Sequence, residues 1–159
     1  MLTKILFAFT LSTGLYGPVV AQIKFPSPSP KSTLTQVVGN TEIQVIYERP
    51  SVRGRIIFGG LEPWNEMWRT GAGHCTKLIF DRAVQVGGQS LSAGAYSLFT
   101  IPSPHEWIII LNADTSLYGR NEYNASKDVA RFTVQANQSK RFYETMTIDL
   151  QLVNYDAEL

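Results

Sequence analysis

From Thr33 onward, apolar and polar residues alternate with a period of two in one segment after another, and no run of ten or more residues keeps helical spacing. A strand turns successive side chains to opposite faces, so this pattern gives sheets with one buried face. The chain is therefore held to an all-β fold. Ser32 to Val38 and Thr41 to Tyr47 flank Gly39-Asn40, a dipeptide suited to a tight hairpin, and Ala83 to Val86 and Gln89 to Leu91 meet in the same way at Gly87-Gly88. His74 to Phe80 reads as a strand with Leu78 and Phe80 inward, which sets His74 and Thr76 on their side and Cys75, Lys77 and Ile79 on the other. Ala93-Gly94 turns into a strand from Ala95 to Ile101.

Trp107 to Leu111 is apolar on both faces and belongs inside a sheet covered on both sides. Asn112 to Asp128 keeps no period and is rich in Asn, Ser, Gly and Tyr, which predicts a long surface loop with room for one helical turn. Ala130 to Gln135 resumes strand character. Phe142 to Tyr155 alternates most cleanly, with Met146, Ile148, Leu150 and Leu152 inward and Thr145, Thr147, Asp149 and Gln151 outward. These segments predict a two-layer antiparallel β-sandwich or flattened barrel, jelly-roll-like in build.

The chain has 159 residues, which suits a single core, and 44% hydrophobic content excludes intrinsic disorder. Lys4 precedes an uncharged, mostly apolar run from Ile5 to Tyr16, followed by Gly17-Pro18 and the small-residue ending Val19-Val20-Ala21. That layout predicts a signal peptide over residues 1–21, cleaved before Gln22, and a secreted or periplasmic product with no stable membrane insertion. The apolar centre is short for a membrane span. Pro26, Pro28 and Pro30 make residues 22–31 an extended arm, and residues 32–159 form one β-sandwich domain. Removing Lys4 leaves 13 basic residues from 14, against 13 acidic ones. A neutral domain lacks the basic excess that nucleic-acid binding requires. Cys75 is the single cysteine, so no intramolecular disulfide is available to the folded chain.

Four motifs stand out in order: Glu48-Arg49-Pro50, Gly54-Arg55-Ile56-Ile57-Phe58-Gly59-Gly60-Leu61, Trp68-Arg69-Thr70-Gly71-Ala72, and Ala93 to Pro102. Together they resemble a secreted bacterial family of unknown function, DUF2911, over about Ser29 to Tyr155. The resemblance implies export by Gram-negative bacteria of the Bacteroidetes type, and brings no reaction, ligand or catalytic residue. Members usually follow the third motif with Asn, Glu, Ala or Ser, and Thr, whereas this chain reads Gly73-His74-Cys75-Thr76. His74 thus replaces an acidic position and changes its charge and hydrogen-bonding pattern.

Arg69 and His74, set among glycines, form the leading candidate site, since a guanidinium beside an imidazole grips a carboxylate or sulfate through paired hydrogen bonds. The structural alternative pairs Arg69 with Glu48 or Glu66 at a sheet rim. Trp68, Arg49, Arg55, Glu48 and Tyr96 complete the candidate ligand-binding set. Arg49, Arg53 and Arg55 offer either a small basic patch for an anionic glycan or phosphate, or a solvated loop. Trp64, Trp68, Trp107, Tyr96, Tyr118 and Tyr123 offer stacking surfaces for sugars, with core packing as the alternative for Trp68 and Trp107. His74-Cys75 is not expected to hold a metal, because adjacent strand side chains point apart and His105 is the one further histidine. Ser97 sits in a strand rather than on a nucleophile turn. The sequence thus predicts a binding or interaction module, without cofactor, for a small anion, a glycan or a protein outside the cytoplasm. The alternative is a small hydrolase using Arg69, His74 and carboxylates from Glu48, Glu62, Glu66 and Asp114.

Overall fold

The computed structural model describes residues 25–153 and 156–158. The predicted signal segment, Gln22, Tyr155 and the side chain of Leu152 lie outside the described residues. In chain order the strands are β1 (Lys31–Val38), β2 (Thr41–Glu48), β3 (Thr76–Phe80), β4 (Val84–Val86), β5 (Gln89–Leu91), β6 (Gly94–Pro102), β7 (Glu106–Asn112), β8 (Asp128–Gln135), β9 (Gln151–Val153) and β10 (Asp156–Glu158). Two single-turn 3-10 helices, Arg120–Glu122 and Ala125–Lys127, lie in the loop before β8. Six strands form one antiparallel sheet in the order β1-β2-β3-β6-β7-β8, and the pairs β4-β5 and β9-β10 stand apart. The edges β1 and β8 do not meet, so the fold is an open, sandwich-like all-β structure and not a flattened barrel.

Both predicted hairpins form, and Gly87 and Gly88 take φ of 57° and 75°, the left-handed values a two-residue turn needs at both central positions. The strand read as apolar on both faces is β7, and it lies inside the sheet between β6 and β8. Its Ile109 and Leu111 enter one cluster while Ile108 and Ile110 enter another on the opposite face. β6 does the same with Tyr96 and Leu98 against Phe99 and Ile101. Period-two alternation therefore builds two cores on one sheet, each fully buried side chain contributing about 1.5–3 kcal/mol.

The first core is closed by the β4-β5 hairpin and by residues 144–150. Side chains there alternate as predicted: Leu150 is buried, Met146 and Ile148 pack on the core, and Thr147 and Asp149 are exposed. The backbone departs from the expected continuous strand, pairing at a single bridge, Ser51 with Thr145. This segment lies over the sheet face rather than along an edge, so its polar groups find side chains instead of a ladder. The Tyr47 hydroxyl accepts from Ile148 N at 3.1 Å and donates to Ile148 O at 3.5 Å, and Arg49 Nε donates to Met146 O at 2.8 Å.

The second core, Cys75, Phe99, Ile110 and Leu117 with Met67 and Tyr123, is covered by the 67–75 segment and the 113–127 loop. Among the described residues no helix is long and apolar enough to cross a membrane.

Candidate functional site

Arg69 is placed by its neighbours. Beyond the start of β3, Trp68 continues the pairing beside β6: Trp68 N donates to Thr100 O at 2.7 Å and Thr100 N to Trp68 O at 2.9 Å. Trp68 turns inward onto Phe58 and Trp107, at ring separations of 5.5 and 6.3 Å, so Arg69 turns to the other face. The next residue, Thr70, has φ of 54°, a left-handed conformation that costs a β-branched residue about 1–3 kcal/mol. It is held there by Thr100 Oγ1 at 3.0 Å and by Thr76 Oγ1, which donates to Thr70 O. The chain thus turns immediately after the guanidinium-bearing residue.

The facing wall is the 113–127 loop. Fully buried Asn112 anchors it, with Nδ2 donating to Asn124 O at 3.0 Å and Asp128 Oδ1 at 2.8 Å, while Oδ1 accepts from Asp114 N at 2.9 Å. Asp114 in turn accepts from Ser116 and pairs with Lys127 at 2.6 Å, contacts that hold its carboxyl well below the ordinary carboxylate value. Tyr123 donates to Asp128, and burial first, then that hydrogen bond, pushes its phenol up to about 12. These contacts tie both ends of the loop to β7 and to the start of β8.

That tip meets Arg69. The guanidinium lies 5.9 Å from the Tyr118 ring centre, and the His74 ring meets the same ring edge-on at 5.1 Å. Beyond them opens a cleft of about 400 Å³ lined by Arg69 and residues Tyr118 to Glu122. Arg120 is committed to Glu66 at 2.9 Å, and Glu122 accepts from Tyr118 N at 2.9 Å. Burial pushes the Glu62 carboxyl above its ordinary value, against the pull of Arg69 and Arg120. Among the described residues, the Arg69 guanidinium has no hydrogen-bond or ion-pair partner; Glu66 serves Arg120 and Glu48 faces His74 Nδ1 at 3.7 Å. A second cleft of about 290 Å³, with Lys31, Glu48, His74 and Lys77 on its walls, opens on the other side of His74.

The structure thus brings Arg69, His74 and Glu48 together and sets the other candidates elsewhere. Trp68 and Tyr96 are buried in the cores, Trp68 Nε1 donating to Gly71 O at 3.2 Å and Tyr96 hydroxyl to Ser92 O at 2.8 Å. Arg49 braces Met146, Thr145 and Thr147 beneath the closing segment, and Arg55 caps the carbonyls of Ser51 and Val52 in its own turn. Buried Ser97 donates to Asp114 O at 2.7 Å.

The reading of His74 on the face of Leu78 and Phe80 is corrected. Strand β3 begins only at Thr76, because Gly71 and Gly73 take φ of 155° and 60° and break the extended run. His74 is therefore an exposed rim residue that borders the second cleft together with Cys75, rather than opposing it across a strand. Position 73 favours glycine because its φ of 60° is left-handed, and a Cβ there would displace the Glu48 carboxylate that faces His74. Among the described residues no three His, Cys, Asp or Glu side chains converge to hold a metal ion. Arg120 and Glu122 were not singled out in the sequence. The visible signal was the repeated spacing Asp114-Thr115-Ser116 and Asn124-Ala125-Ser126, whose side-chain turns brace the loop carrying them.

Fold and site define an open antiparallel β-sandwich with a guanidinium-bearing cleft between a strained turn and a braced loop. The chain belongs to the family described as protein of unknown function (DUF2911), whose model matches residues 29–159. No curated protein and no solved structure matches the chain.

Proposed function

We propose that this is an exported binding module that takes an anionic group, a carboxylate or sulfate, into the cleft at Arg69. The observation that carries the reading is the Arg69 guanidinium, which has no hydrogen-bond or ion-pair partner among the described residues and opens on a cleft large enough for a sugar-sized ligand. A planar guanidinium with its fork facing solvent matches the two oxygens of such a group. The Lys4 to Ala21 pattern supports removal of residues 1–21 and a secreted or periplasmic location.

Titration with galacturonate, a sulfated monosaccharide and the neutral galactose tests the reading. It expects the anionic sugars alone to bind, and it fails if galactose binds equally well or none of them binds. A hydrolase is the second reading, favoured by Glu62, a carboxyl whose value burial raises against the pull of Arg69 and Arg120. Turnover of an acidic glycoside that is lost in Glu62→Gln would select it over simple binding.

A further inference from the structure

We propose that the natural ligand is an oligosaccharide of acidic sugars that spans both clefts, one carboxylate on Arg69 and the next on Lys31 and Lys77. The inference rests on the reading of the Arg69 cleft as an anion site and extends it across His74. Among the described residues, Arg49, Arg53, Arg55, Arg82, Arg120, Lys127 and Arg131 are engaged by hydrogen bonds or ion pairs. Lys31, Arg69, Lys77, Lys140 and Arg141 are the cations whose side chains are not, and the first three of these border the two clefts. The clefts adjoin through one ring contact: His74 borders the second and packs on Tyr118, which borders the first.

The remaining groups favour a sugar chain over other polyanions. Glu62 and Glu122 near Arg69 and Glu48 in the second cleft would repel a dense run of phosphates, yet carboxylates accept hydrogen bonds from hydroxyls. Tyr118 leaves 57% of its surface exposed as a flat partner for a pyranose ring. An extended peptide is recognised mainly by backbone pairing along one edge strand, whereas the second cleft is walled by residues of three strands, Lys31 of β1, Ile46 to Glu48 of β2 and Lys77 of β3, with His74 and Cys75.

Calorimetric titration of galacturonate, of three-residue oligomers of galacturonate and of mannuronate, and of hexaglutamate separates the outcomes. An acidic trisaccharide of at least one type is expected to bind at least tenfold more tightly than galacturonate. Lys77→Gln should remove that advantage and leave galacturonate binding unchanged, with Lys31→Gln as an independent variant at the sheet edge should the β3 substitution impair folding. Arg69→Gln should weaken monomer and oligomer alike. Trisaccharides that bind no better than the monomer, or lysine variants without effect, overturn the two-cleft inference and leave the Arg69 reading standing. Hexaglutamate binding more tightly than either trisaccharide overturns the sugar assignment. Absence of binding by every acid, with Arg69→Gln silent, overturns both.

Discussion

The Arg69 guanidinium stands 5.9 Å from the centre of the Tyr118 ring, although one residue belongs to a strained turn beside β6 and the other to the tip of the loop after β7. Their meeting depends on two separate anchors, Thr70 with Thr76 and Thr100 on one side and Asn112 on the other. Each anchor can be removed on its own.

Asn112→Ala deletes the buried amide that holds Asn124, Asp128 and Asp114. It should destabilise the fold by about 1–3 kcal/mol, the scale of leaving buried partners unsatisfied, and raise amide exchange through residues 113–127. Anion binding should weaken with it. Unchanged exchange in the loop would show that Asn112 is not its anchor. Asp114 adds a pH dependence of defined sign. Its folded value is depressed, so its contribution is complete above the ordinary value of 3.8 and is lost as the pH falls through the folded value.

Tyr47→Phe removes the hydroxyl that serves both backbone groups of Ile148 and should cost about 1–3 kcal/mol in chemical denaturation. Leu150→Ala, at a residue 7% exposed, should cost about 2–5 kcal/mol. Losses within about 0.5 kcal/mol for both would mean that the closing segment does not cover the core.

Cys75 is buried, and burial, more than the opposing pull of Arg69, pushes its thiol up to about 11. The native protein should resist iodoacetamide at pH 8 and react fully once unfolded. Because the folded value lies above the ordinary 9.0, the thiol's contribution to stability is complete below pH 9 and declines as the pH rises toward 11. Rapid alkylation of the native state would contradict this burial.

Exported protein should begin at Gln22, since Val19 and Ala21 supply the small residues before the cut. Intact-mass measurement decides it. A mass that retains Met1 to Ala21 would refute cleavage.

Strand positions were legible in the sequence because burial and period two reinforce each other: both hairpins, at Gly39-Asn40 and Gly87-Gly88, the doubly apolar β7 and the in-out order of Met146 to Leu150 all appear as read. The stretch from Arg49 to Cys75 was opaque. Its course follows from tertiary contacts, such as Trp68 pairing with Thr100 and Phe58 wedged against Trp64, Trp68 and Trp107, which carry no local periodicity. His74 was misplaced for the same reason: the strand pattern was started at His74, whereas β3 begins at Thr76 after a turn in which Gly73 has a positive φ. Arg69 was legible as a residue type in a glycine-rich setting, whereas the loop that walls its cleft is fixed by side-chain hydrogen bonds that no spacing rule foretells.

The central claim is that Arg69 serves a ligand and not the fold, and one paired measurement addresses it: galacturonate affinity and melting temperature for the wild type and Arg69→Gln. The account predicts that the substitution weakens binding by about 1.5–3 kcal/mol, the scale of hydrogen bonds to a charged group, while the melting temperature stays within about 2 °C, the shift expected for under 0.5 kcal/mol in a domain of this size. Equal affinity in the two proteins, or a melting temperature that falls by about 4 °C or more while binding is unchanged, would make Arg69 a structural residue and contradict the account.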